Sequence, residues 1–358
     1  MIFKNFKNKK VIITGHTGFK GSWLTFWLEK LGAKVIGISN KELKPSNFTA
    51  LNLKKKINNN IADIKSLDKI KKLIIKTQPD FIFHLAAQAL VKKSYREPIE
   101  TINTNAIGTL NVLESIRFLK KKCIIVLITS DKSYKNLELK RGYKENDQLG
   151  GIDPYSASKA SAEIIIQSYF QSFLKKNKNL RIGIARAGNV IGGGDWSENR
   201  LVPDCIKSWS KNKKVILRNP HSTRPWQHVL EAVGAYLLFS KKLQKDPKLN
   251  GEVFNFGPKH QNNLTVLGVI KKMKKIWHKV DWKIKKSKKK NSHYESKLLQ
   301  LNCLKAKKRL KWNSVLSTDE TIAMTINWYK NYYNKSKKIK SFTYSQIKFY
   351  EKIMIERL

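Results

Sequence analysis

Carboxylates are scarce in this chain: 26 acidic residues stand against 72 basic ones over 358 positions, a formal net charge of +46. Such an excess raises nucleic acid or an anionic membrane as partners. Its make-up argues against both, because 62 of the basic residues are Lys and only 10 are Arg, the side chain whose planar fork reads bases and phosphates. A general bias toward Lys explains the charge without a binding face, so neither nucleic acid nor membrane is expected as a partner, although anionic ligands are attracted. Cysteine is scarcer still. Cys123, Cys205 and Cys303 are odd in number and far apart, which excludes a disulfide framework and a CxxC metal site. No metal is expected, and a reducing cytoplasm fits. Long apolar runs are missing too, since none approaches the roughly 20 residues that a membrane helix takes. The basic opening MIFKNFKNKK leads straight into VIIT and a glycine turn, without the apolar stretch and cleavage site of a secretion signal.

What is there is 41% hydrophobic, enough for a sizeable core in one large domain or two intimate ones. Lys10 to Thr14 reads as a short apolar strand, GHTGFKG follows, then the helical WLTFWLEKLGA and a second strand, KVIGIS. This is a βαβ unit. Gly15, Gly18 and Gly21, with Phe19 among them as a cofactor contact, let the backbone approach a pyrophosphate, and the N-terminus of the helix that follows supplies free amides and a positive dipole. The second strand ends in Ser39, Asn40 and Lys41, with no carboxylate where an NAD-binding chain often holds the ribose, so the choice of dinucleotide stays open. A third strand in INNNIADIK brings Asp63 and Ile64 toward the adenine. A fourth, FIFHLAAQ, ends in the small Ala86 and Ala87, against which a cofactor can lie. From Pro98 a long helical pattern carries Asn105 and Gly108; Asn105 is a cofactor candidate, with a helix kink as the competing role.

CIIVLITS is a fully apolar fifth strand that delivers Ser130, Asp131 and Lys132 to the same sheet edge, where ligands of such folds bind. After the turn-rich GYKENDQLGGIDPY, Pro154 marks a helix start. Tyr155 and Lys159, four apart, then share one helix face, and an ammonium near a phenol favours the phenolate, making Tyr155 a candidate general base. The spacing alone is weak evidence, since Tyr333/Lys337 and Tyr344/Lys348 repeat it in Lys-rich surroundings. The placement after a buried strand carries the argument.

A sixth strand in RIGIARAGNVIGGGDW closes the regular alternation. The expected architecture is α/β: a doubly wound parallel sheet of Rossmann type over residues 1–187, with 226–243 returning to it, and a smaller substrate-binding region from 188–225 and 244–358. That region holds Asn189, Arg200, Arg224 and Trp226, and Asn255 in FNFGP, as candidates to hold an anion and a flat ring. WKIKKSKKK reads as an exposed charged run.

With Gly15/Gly18/Gly21, Ser130 and Tyr155/Lys159 in order, nearly the whole chain resembles the extended short-chain dehydrogenase/reductase family of nucleotide-sugar enzymes. GHTGFKGSWL, TSDKSY, GGIDPYSASKASAE, RAGNVIGGGDW and RPWQHVLE look like its CDP-glucose 4,6-dehydratase branch. The resemblance implies NAD as cofactor, CDP-glucose as substrate, and a homodimer or dimer of dimers built on helices 98–119 and 155–174. It implies that Tyr155 takes the 4-hydroxyl proton, that Lys159 lowers the phenol's pKa and holds the nicotinamide ribose, and that Ser130 bonds the reacting oxygen. Asp131 would be the acid and Lys132 the base of an elimination. Asn189, Arg200 and Arg224, with Asn255, would hold the nucleotide diphosphate. Related dTDP-glucose dehydratases carry an acidic residue where this chain has Lys132, so a carboxylate base does not carry over. An epimerase needs Tyr155 and Lys159 but has no use for Asp131 and Lys132. A non-catalytic nucleic-acid binder would need none of them.

Overall fold

In the computed structural model, strands β1 (Lys10–Thr14), β2 (Lys34–Ser39), β3 (Asn58–Ile61), β4 (Phe81–His84), β5 (Cys123–Ile128), β6 (Leu180–Ala187) and β7 (Val253–Phe256) form one sheet. The residues described are 2–139, 141–217, 219–258, 263–284, 299–334 and 338–357, excepting the side chains of Arg224 and Asn263. Spatial order is β3-β2-β1-β4-β5-β6-β7, and every pairing is parallel. The order reverses beside β1, so the crevice above the ends of β1 and β4 is the switch point at which doubly wound sheets take ligands.

Strand alternation explains the layering. Val11 and Ile13 face one apolar cluster with the helices Phe19–Lys30, Val229–Lys245, Thr318–Tyr333 and Ile339–Arg357, while Ile12 faces another with Leu67–Thr77 and Gly108–Ile116. Covered on both faces, β5 buries all six residues, whereas the edge strand β3 reads NNNI and stays partly exposed.

The return of the chain to the sheet is longer than the 226–243 expected. Val253–Phe256 adds a seventh strand beside β6, because VFNF supplies a short apolar strand after the Val229–Lys245 helix crosses the face. Outside the main sheet are the parallel pair Val190–Ile191 with Gln227–His228, the antiparallel pair Thr223–Pro225 with Asn263–Thr265, and the parallel pair Val215–Leu217 with Trp282–Ile284. Of the expected charged run, residues 285–290 lie outside those described.

Candidate active site

The glycine turn crosses directly from β1 to its helix. Gly15 has φ +74°, and a Cβ there would meet the Ala86 amide nitrogen at 2.7 Å, so only glycine lets the turn close on the loop after β4. Gly18 is the N-cap of Phe19–Lys30, whose first turn has neither a side-chain cap nor an acidic residue. These amides, the cradle and the half-buried Ala86 and Ala87 fit the pyrophosphate of a dinucleotide. At the end of β2, Ser39 Oγ is engaged with His16 Nδ1 at 3.0 Å. The next carboxylate, Glu42, accepts from Asn59 and pairs with Lys54. No acid is free there among the described residues. Asp63 caps its own turn through Lys65 N at 2.9 Å, and Ile64 is buried against Gly108.

Asn105 is buried in a π-turn (Asn103–Ile107) that interrupts the helical stretch beginning at Pro98. Its amide accepts from Gln88 N (2.8 Å) and donates to Gln88 O (3.0 Å) and Ser158 Oγ (2.8 Å). It thereby braces the loop after β4 against the Tyr155 helix, the kink role rather than an open cofactor contact.

Ser130 ends the extended segment after β5 and caps a single turn, Asp131–Ser133. Its hydroxyl donates to Asp131 Oδ1 (2.9 Å) and accepts from Lys132 N (3.2 Å). Asp131 is buried and Lys132 half-buried. The helix Pro154–Tyr169 has Pro154 at its first position and Asp153 as N-cap, accepting from Ser156 N at 3.0 Å. It carries Tyr155 and Lys159, both buried, four positions apart on one helix face. Burial pushes the Tyr155 phenol up to about 12; a hydrogen bond with Ser130 and the charge of Arg200 pull it back, while Asp131 adds to the rise. Burial brings Lys159 down to about 8, with Glu163 opposing.

Arg200, at the start of the helix Leu201–Trp209, pairs with Asp195 at 3.1 Å and acts on Tyr155 from across the pocket. Asn189 is exposed just past β6, and Gly188 lies against Asp131, where a Cβ would sit 3.2 Å from Oδ2. The Arg224 side chain lies outside the described residues; its backbone pairs with Leu264. Asn255 departs from its expected place. It is fully buried, accepting from Tyr134 Oη (2.8 Å) and donating to the carbonyls of Tyr143 (2.8 Å) and Asn302 (3.3 Å). Both amide protons are thereby given to backbone carbonyls of the fold.

Lys20 was not singled out by sequence. Half-buried in the first turn of Phe19–Lys30, it feels Arg200, Asp131 and Lys159 and is brought down to about 8, chiefly by burial. Its place two residues after Gly18 is the only signal, hidden among 62 lysines.

A family model described as GDP-mannose 4,6 dehydratase matches residues 12–325. The chain belongs to that dehydratase family. As a member of it, the chain has the extended short-chain dehydrogenase/reductase architecture. It is 40% identical over 337 residues to a CDP-glucose 4,6-dehydratase of Salmonella typhimurium, covering 92% of this chain and 93% of that one. It is 26% identical to a UDP-glucose 4-epimerase of Mycoplasma genitalium, covering 91% and 97%. Among solved structures, a UDP-glucose 4-epimerase from Brucella ovis in complex with NAD superposes with a TM-score of 0.75 at 18% identity, over 88% of this chain and 97% of that one. That likeness is one of fold. Among the described residues no helix is long and apolar enough to cross a membrane, and no group of His, Cys, Asp or Glu is arranged to hold a metal ion.

Proposed function

We propose that this member of the dehydratase family converts CDP-glucose to CDP-4-keto-6-deoxyglucose and water, with NAD as its cofactor. The observation that carries the reading is the convergence of Ser130, Asp131 and Lys132 with Tyr155 and Lys159 at one sheet edge, in a chain 40% identical to a CDP-glucose dehydratase over nearly its full length. When bound, NAD would accept the sugar's C4 hydride and give it back at C6. The glycine cradle would hold its pyrophosphate, and Lys159 its nicotinamide ribose.

Tyr155 takes the 4-hydroxyl proton, with Ser130 and Arg200 favouring its phenolate against the burial that disfavours it. The resulting 4-ketone acidifies C5. Lys132 removes the C5 proton and Asp131 protonates the departing 6-hydroxyl, two roles for which an epimerase has no use. Asn189 and Arg200, with Arg224, hold the nucleotide diphosphate. A second copy covers the helices 98–119 and 155–174, whose outer faces leave Ile99, Ile102, Ile164 and Phe173 exposed. The enzyme works in the cytoplasm.

The test is CDP-glucose deuterated at C4, with NAD in catalytic amount. Deuterium recovered at C6 of a product one water lighter supports the reading. Label lost to solvent, or reduced cofactor accumulating with product, refutes it.

A further inference from the structure

One helical turn beyond Lys159, a second pair of charges is sealed in the interior. Glu163 and Arg186 are 0% and 1% exposed. The Glu163 carboxylate accepts from Arg186 Nε at 2.8 and 2.9 Å, from Arg186 Nη2, and from Thr129 Oγ1 at 2.6 Å. Thr129 directly precedes Ser130 after β5, and Arg186 is the penultimate residue of β6. The guanidinium donates to the Glu145 carbonyl at 2.9 Å and lies 4.5 Å over the Tyr134 ring, next to the catalytic turn. One carboxylate thus joins the Ser130 segment, the Tyr155 helix and β6. A buried ion pair stabilises a fold no better than apolar packing of the same volume, so stability alone does not account for it.

We infer that Glu163 is a positioning residue, which holds the positive charge on Lys159 in a buried site while Arg186 fixes the carboxylate's place. The inference rests on Lys159 acting in the proposed reaction. The charged and titratable groups of the pocket are few. Lys20 comes from the Phe19–Lys30 helix, His84 from β4, Asp131 and Lys132 from the turn after β5, and Arg200 from the far wall, with Tyr155 and Glu163 on the helix itself. Buried His84 is brought down to about 3 and is neutral near pH 7. Glu163 is the one carboxylate that acts appreciably on Lys159, and burial opposes it.

The sign follows. Lys159 must be protonated, so activity falls as pH rises through about 8. Glu163→Gln removes the opposing charge, and Lys159 then loses its proton at lower pH. The alkaline limb of kcat/KM should move down by about one pH unit. Arg186→Lys breaks the same fork but keeps the charge, and its limb should stay in place. If both variants lose rate equally with the limb unmoved, the pair is only a structural tie and the inference is overturned.

Should Glu163→Gln fail to fold, the double variant Glu163→Gln/Arg186→Gln leaves no unpaired charge and lets two amides bond. Its limb should still move down, because Glu163 and not Arg186 is the charge that acts on Lys159, and an unmoved limb again overturns the inference. NAD binding followed by calorimetry without substrate should show the same shift. Lys20 also lies near 8, so Lys20→Met is the control for the limb's origin: losing a like charge raises Lys159 and moves the limb upward. Disappearance of the limb in Lys20→Met would assign it to Lys20 and overturn the inference. Full activity in Lys159→Met would remove the catalytic reading itself, whereas an essential Lys159 indifferent to position 163 removes only this inference.

Discussion

Asn255→Ala separates a scaffold role from a substrate role. Removing the amide takes from the buried Tyr134 hydroxyl its only acceptor among the described residues, and takes one donor each from the Tyr143 and Asn302 carbonyls. The Tyr143 carbonyl keeps its bond from Asn302 N at 2.8 Å, and the Asn302 contact was long, so the hydroxyl is the main loss. At about 1–3 kcal/mol for a buried group left unpaired, the total comes to about 2–4 kcal/mol. A chain of this size has a melting entropy of roughly 0.75 kcal/mol per degree, so Tm should fall by about 3–5 °C. Differential scanning calorimetry measures that fall, and steady-state kinetics at a temperature where the variant stays folded should show KM for the nucleotide-sugar within about twofold of the parent. An unchanged Tm with KM raised tenfold would refute the scaffold argument and restore Asn255 to the binding site.

Tyr155→Phe should abolish both oxidation and C5 exchange, at a cost of about 10² to 10⁴ in rate, measured by product formation and by deuterium uptake from solvent. Lys132→Met should instead allow a transient absorbance of reduced cofactor while C5 exchange and water loss collapse; exchange at the parent rate would move the base elsewhere. With no free carboxylate after β2, NAD should be retained weakly and discriminated poorly from NADP, and calorimetry showing NADP bound at least as tightly as NAD would reject the NAD assignment. Stability should decline on acidification. His84 and His228 are buried and brought down to about 3, so the unfolded chain takes up protons first as pH falls below 6.5. Each then costs about 1.4 kcal/mol per pH unit until the folded pKa is reached. Urea midpoints that stay level between pH 7 and pH 5 would contradict this.

The parts of the fold that repeat locally were legible. The glycine turn between an apolar strand and a helix, the buried β5 run and Pro154 ahead of Tyr155 each declare themselves within a dozen residues. Contacts made across the sheet did not. Asn255 stands in FNFGP two residues before a glycine, like a surface ligand, and only the bonds to Tyr134, Tyr143 and Asn302 show that it is enclosed. Val253–Phe256 is too short to be placed in the main sheet without seeing that it lies beside β6. Lys20 resembles any first-turn lysine until Arg200 and Asp131 are brought near. The Glu163–Arg186 pair joins a helix to a strand 23 positions away, a separation that no helical or strand period encodes.

The long Ile339–Arg357 helix has a bearing on how the chain comes to be folded. Its Glu351 accepts from Trp27 Nε1 at 3.0 Å, 324 positions back, and its Tyr350 reaches Glu231 at 3.0 Å. Trp27 lies on the helix that follows the cofactor turn, so that helix gains part of its cover only from a segment 324 positions later. Without that segment Phe26 loses its contact with Tyr344, and Trp27 its contacts with Tyr350 and Glu351. A fragment ending near residue 187 would carry every glycine of the cradle and both Tyr155 and Lys159, yet leave Phe26 and Trp27 without these partners. Folding thus depends on non-local closure, which is slower than the closure of a chain whose contacts are local.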